Sequence, residues 1–136
     1  NIALRLGIWV RKHKLGKVLV SPADVVLAED TVVQPDVFVI PTEKLSAIRR
    51  RVMAVPDLAV EVLSPSTAEY DRRDKFPLYE RSGVREFWLV DPQARTLEVY
   101  TLQEQTFHLA GCYTEADTAA SVVLNGLTFP TADLFL

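Results

Sequence analysis

The chain is predicted to be α/β, a mixed β-sheet flanked by helices. Two observations point there. Short runs rich in apolar and β-branched residues recur along the sequence, and helical segments stand at its start and between its central strands. With 136 residues, 49% of them hydrophobic, the chain can bury one sizeable core but would not divide comfortably into two, so one domain over 1–136 is expected.

Residues 1–14 open the chain with helical spacing of Leu4, Ile8 and Arg11. No capping sequence precedes them, so a helix whose first turns are missing is expected, in a domain lacking its N-terminal residues. Leu15-Gly16 is a helix stop with cations just before it. Apolar runs follow at Lys17–Val20 and Val25–Ala28, separated by the irregular Ser21-Pro-Ala-Asp24. Thr31–Ile40 reads as a strand broken by Pro35, which points to an edge or a bulge. Glu43–Arg51 is polar and reads as a solvated connection or short helix.

Leu58–Leu63 is a strand in which every residue but Glu61 is apolar. Alternation puts Asp57, Ala59 and Glu61 on one face and Leu58, Val60 and Val62 on the other. Ser66 and Glu69 have capping-box spacing, but Pro77 moves the expected regular helix to Asp74–Ser82, capped by Asp74 and stopped by Gly83. Glu86–Val90 and Thr96–Leu102 read as a hairpin about Asp91-Pro92. Thr106–Ala110 and Ser121–Leu124 are further expected strands, Asn125-Gly126 is a tight turn, and Thr131–Leu136 a last short helix.

The formal net charge of −3 does not announce a nucleic-acid binder, nor does it exclude one. The single cysteine, Cys112, rules out an internal disulfide and reads as a small packed hydrophobe. No apolar stretch reaches the ~20 residues that cross a bilayer, and the start lacks a signal-peptide layout, so no membrane partner and a cytoplasmic setting are expected. There is no Gly-rich phosphate loop, Cys-x-x-Cys pair or Gly-x-Ser-x-Gly turn, and His13 and His108 lack ligand-like spacing.

The candidate chemistry lies in the acids. An ionised carboxylate buried without a partner is very costly, so Glu61 needs a divalent metal, a hydrogen-bonded lysine or an arginine. Asp36, Asp57 and Lys75 are candidates for sharing its site. Asp57 could equally end the loop before the strand. Arg49-Arg50-Arg51 and Arg72-Arg73 could contact phosphates, although solvated surface is the simpler reading. Trp9, Trp88, Phe87 and Tyr79 read as core or interface aromatics, with base stacking a minor alternative.

Pro35-Asp36, Pro56-Asp57 with Glu61, Asp74-Lys75 ahead of Tyr79, Gly83-Val84, Glu86-Phe-Trp-Leu-Val-Asp-Pro92 and Tyr100 occur in the order of the Uma2 family, which this chain resembles. The resemblance covers about Val32 to Leu102 closely and continues loosely to Phe135. It implies a restriction-endonuclease-like core of the PD-(D/E)XK kind, in which a sheet presents acids to a divalent ion, usually magnesium. Asp36 would match the acid of the first Pro-Asp strand and Glu61 the acid of the (D/E)XK element, with Asp57 assisting. Leu63 stands where that element usually has lysine, and the resemblance gives the role to Lys75 on the following helix. Magnesium, or manganese in its place, would take oxygens from Asp36, Glu61 and the Val62 carbonyl.

The leading expectation is a magnesium-dependent endonuclease that hydrolyses DNA phosphodiesters, working as a homodimer so that two sites meet two strands. The alternatives are a non-catalytic nucleic-acid-binding or protein-interaction module that keeps the fold, and a metal-dependent hydrolase of another phosphate ester.

Overall fold

A computed structural model describes residues 2–135. The elements run α1 (Ile2–Lys12), β1 (Gly16–Val20), β2 (Val25–Ala28), β3 (Thr31–Val33), β4 (Val37–Pro41), a 3₁₀ turn (Thr42–Ala47), β5 (Leu58–Val62), α2 (Ala68–Tyr70), α3 (Phe76–Ser82), β6 (Glu86–Asp91), β7 (Thr96–Gln103), β8 (Thr106–Tyr113), β9 (Thr118–Ala120), β10 (Thr128–Pro130) and a final 3₁₀ turn (Thr131–Phe135). Asn1 and Leu136, the ends of two expected helices, lie outside the described residues.

The main sheet has six strands in the order β1-β4-β5-β6-β7-β8. Only β5 and β6 pair in parallel; their neighbours are antiparallel, which makes the sheet mixed as expected. A parallel pair needs a long crossover, and the α2–α3 segment supplies it. Central strands must be apolar on both faces, and this one is: Leu58, Val60, Trp88 and Val90 pack with Leu6 and Val10 of α1, while Ala59, Phe87 and Leu89 pack with Tyr79 of α3. Burying each large side chain is worth about 1.5–3 kcal/mol, so these two layers hold α1 and α3 on opposite sides of the sheet.

Several expectations are corrected. The first helix forms, but Leu4 and Ile8 are 67% and 62% exposed, and its core face is Ile2, Leu6 and Val10. Both sets have a spacing of four, so periodicity alone could not choose between them. The run Thr31–Ile40 splits at Pro35 into β3, paired only with β2, and β4 in the main sheet.

The helix after β5 starts at Ala68 instead of Asp74. Asp71–Lys75 widens into a π turn, in which the Phe76 amide donates to the Asp71 carbonyl five residues back. The wide turn just ahead of Pro77 relieves the clash that a proline ring makes with the preceding turn, so the helix continues through it to Gly83. Ser66 caps nothing, and Glu69 instead pairs with Arg73 at 3.3 Å.

Ser121–Leu124 is a turn, not a strand, because its two central amides and the Ser121 hydroxyl are taken by a buried carboxylate. Glu86 Oε1 accepts the Val122 and Val123 amides at 2.8 and 2.9 Å, while Oε2 accepts the Ser121 hydroxyl and Trp88 Nε1, both at 2.7 Å. The strand lies just before, as β9 paired with β10. Cys112 is exposed on the edge strand β8, not packed in the core. Phe87, Trp88 and Tyr79 are fully buried, which removes them as base-stacking platforms.

Candidate active site

The register of β4 on β5 builds the site. Val37 faces Val60 and Val39 faces Leu58 in an antiparallel ladder. Carried one residue further, that register sets Asp36 opposite Glu61. The Val62 amide donates to Asp36 Oδ2 at 2.7 Å, so the first acid is fastened to the backbone beside the second. Among the described residues, Asp36 Oδ1 takes no hydrogen bond.

Glu61 is 1% exposed and points to the α3 side of the sheet with Ala59, as the alternation predicts. The helix above answers it. Lys75 Nζ donates to Glu61 Oε1 at 3.0 Å and the Tyr79 hydroxyl donates to Oε2 at 2.6 Å. Lys75 Nζ also lies 3.3 Å from Asp71 Oδ1, an ion pair without hydrogen-bond alignment. Asp71, Lys75 and Tyr79 are spaced by four, which places them on one helix face. Asp71 is itself 2% exposed, and its Oδ2 accepts the Thr67 hydroxyl at 3.2 Å.

Burial pushes the Glu61 carboxyl up to about 7, against the pull of Tyr79 and Lys75, with the Asp36 charge adding to the rise. Burial draws Lys75 down, but Glu61 and Asp71 outweigh it and its pKa rises. The Tyr79 hydroxyl is raised well above its ordinary value by burial and by the Glu61 charge, so it stays a donor. The result is a desolvated acid whose negative charge is under-compensated. A divalent cation would relieve it.

The structure therefore brings Asp36, Glu61, Val62 and Lys75 together. It does not bring Asp57 with them. Asp57 shares the face of Glu61 but stands four residues back, about 13 Å along the strand. It is paired with Arg85 at 3.4 Å at the opposite end of β5. Asp71 and the Tyr79 hydroxyl are the participants that sequence reasoning missed; the signal was the Asp71, Lys75, Tyr79 spacing, obscured by Pro77.

The donors suit a hard cation only in part. Among the described residues, no three His, Cys, Asp or Glu side chains converge closely enough to hold a metal ion by themselves. Asp36 and Glu61 are two carboxylates at facing positions, and magnesium is content with one or two carboxylates while keeping several waters. A cleft of about 410 Å³ lined by Leu63, Ser64, Ala68 and Asp91 opens at the same end of β5 and β6.

Of the two arginine runs, Arg72 is tied bidentately to Glu98 at 3.0 and 2.7 Å, and holds that carboxyl below its usual range. Arg51 is 3.6 Å from Asp24. No helix among the described residues is long and apolar enough to cross a membrane.

A search of curated proteins finds no match to this sequence. Among solved structures, one described as a "putative nuclease belonging to DUF820" from Anabaena variabilis superposes with a TM-score of 0.81 at 20% identity, over 98% of this chain and 75% of that one. At that identity the likeness is one of fold, and the fold is the nuclease-like mixed α/β arrangement. The sequence pattern of Uma2, described as "Putative restriction endonuclease", matches residues 1–132. With all but the last four residues inside that match, the chain is a member of the Uma2 family.

Proposed function

We propose that the protein is a metal-dependent DNA endonuclease whose site is formed by Asp36, Glu61 and Lys75. The observation that carries this reading is the meeting of a backbone-anchored carboxylate, a buried carboxylate and a helix-borne ammonium at one end of β4 and β5. Asp36 and Glu61 would hold magnesium or manganese, with the Val62 carbonyl a third oxygen beside them. Bound there, the ion would polarise a phosphoryl oxygen and lower the pKa of its water. Lys75 would face the charge that develops on the phosphate. Tyr79 orients Glu61, and Asp71 keeps Lys75 protonated and aimed. Asp57 is assigned to the strand end, with Arg85. A homodimer would set two such sites on the two strands of a duplex, and a cytoplasmic setting suits the exposed lone Cys112.

The test is plasmid cleavage in magnesium or manganese and in chelator. Cleavage that needs the ion and is lost in both Asp36→Asn and Glu61→Gln supports the assignment, and sedimentation of the same samples gives the oligomeric state. Cleavage unchanged in both variants would sink it.

One observation favours a second reading, a non-catalytic binding module. Both Glu61 oxygens already have internal partners, Lys75 and Tyr79, so the acid is satisfied without a metal. Nucleic-acid binding that persists in chelator, with no cleavage in any divalent ion, would select that reading.

A further inference from the structure

The charges are unevenly distributed. Residues 1–23 hold Arg5, Arg11, Lys12, Lys14 and Lys17 and no acid, while the rest of the chain sets ten cations against eighteen acids. Arg5 pairs with Asp133, but Arg11, Lys12, Lys14 and Lys17 make no ion pair among the described residues. Three of these four line one cleft of about 590 Å³ between α1 and the edge strand β1, with Gly7 and Thr42 beside them.

Two features of this cleft are not explained by packing. Gly7 sits in the interior of α1, where glycine is a poor helix former, yet a Cβ built on it would meet nothing within 4 Å. The fold does not need the bare backbone there. Lys14 has a φ of 55°, a left-handed conformation that glycine or asparagine adopts more readily. A cation occupies a position where it strains the backbone. The corner is rigid: Thr42 Oγ1 donates to the Lys14 carbonyl at 2.9 Å, the Thr42 amide donates to the Leu15 carbonyl at 3.2 Å, and a Cβ on Gly16 would strike the Ile40 carbonyl oxygen. Helix C-terminal cations alone would account for Arg11 and Lys12. They would not account for Lys14 and Lys17 beyond the helix end, nor for Gly7.

We infer that this cleft, lined by Gly7, Arg11, Lys14, Lys17 and Thr42, grips the sugar-phosphate backbone of duplex DNA without a metal ion. Gly7 lets the backbone approach the helix, and the exposed ammonium and guanidinium groups replace the counterions of the phosphates. The inference deepens the nuclease reading by giving the substrate a second hold. In the register of β1 on β4, Gly16 faces Pro41, so the cleft lies at the end of β4 remote from Asp36. Five residues of strand, about 16 Å, separate the two positions along β4, and the cleft lies on the α1 side of the sheet while Glu61 faces α3.

The test is fluorescence anisotropy of a labelled 20-base-pair duplex in chelator, titrated across salt concentrations. Wild type should bind with no divalent ion present. The triple variant Arg11→Ala/Lys14→Ala/Lys17→Ala should bind at least tenfold more weakly, with the slope of log affinity on log salt reduced by about 3, near 0.9 for each phosphate no longer neutralised. Gly7→Leu should weaken binding with all charges present. Lys14→Asn, which suits the left-handed backbone, should fold at least as well as wild type and lower the slope by about 1. The inference is overturned if wild type does not bind the duplex in chelator, if the triple variant keeps the wild-type slope, or if the patch retains anionic phosphatidylserine vesicles but not DNA. Absence of cleavage in magnesium would count against the nuclease reading alone and leave these binding results standing.

Discussion

In the metal-free protein, replacing Glu61 by glutamine should flatten a pH dependence of stability. Burial lifts the Glu61 carboxyl from 4.5 to about 7. A carboxyl whose folded pKa exceeds its unfolded value binds its extra proton in the native state, so its contribution is full below about 4.5 and is lost as pH rises to 7 and beyond. Raising the carboxyl that far, at 1.36 kcal/mol for each tenfold change in proton affinity, amounts to about 3 kcal/mol. Because Glu61 is 1% exposed, solvent screening takes little from that figure. About 2–3 kcal/mol of it falls between pH 5 and 8. Urea unfolding of both proteins in chelator, at several pH values, gives the difference in ΔG, and groups that titrate identically in the two chains cancel. Wild type should lose about 2–3 kcal/mol relative to Glu61→Gln across that window. Parallel profiles, or a difference of the opposite sign, would mean that Lys75 and Tyr79 compensate the buried charge fully, and a cation at this carboxylate would lose its electrostatic basis.

Tyr79→Phe keeps the ring against Phe87, 5.1 Å away between centroids, and deletes only the donor to Glu61; it should cost about 1.5–3 kcal/mol at pH 8, where the acid is charged, and less at pH 5 by the same unfolding assay. Glu86→Gln turns one oxygen that accepts two donors into an amide, so unfolding should show a loss of about 1–3 kcal/mol for each donor stranded, with DNA cleavage per folded molecule unchanged. Asp57→Asn breaks a partly exposed pair with Arg85 and should change stability by less than about 1 kcal/mol. Calorimetry should find magnesium affinity intact in that variant and abolished in Asp36→Asn.

The strands were largely legible because apolar runs bounded by Pro, Gly and Asn carry their own signal, and the mixed sheet followed from short strands set around one connecting helix. Glu61 was legible for the same reason: a charge inside Leu58–Leu63 has no solvated side to turn to. Where the reading failed, the deciding contact was distant in sequence. Leu4 and Ile8 share the periodicity of the true core face, and only the sheet beneath chooses between them. Ser121–Leu124 has strand-like composition, but its Ser121 hydroxyl and its Val122 and Val123 amides are claimed by Glu86, 35 to 37 positions earlier. Glu86 and Glu61 are both acids of apolar strands; four donors inside the fold make the first an anchor, and two donors with an acid alongside leave the second open to a cation. Asp57 was grouped with Glu61 by alternation, which reports the face of a strand but not the distance along it.

The π turn at Asp71–Lys75 places one more residue in a helical turn than an α-helix would use. The turn takes in that residue by widening, so the residue sets the spacing between the side chains before it and those after it. Removing exposed Arg73 would spare every buried side chain and every member of the site. It would nonetheless close the wide turn to an α-turn, bring Asp71 and Lys75 to a spacing of three, and re-aim the ammonium that now lies between Asp71 and Glu61. The alignment of the site thus depends on the number of residues in the turn as well as on their identities, and an alignment scored by identity alone would not register its loss.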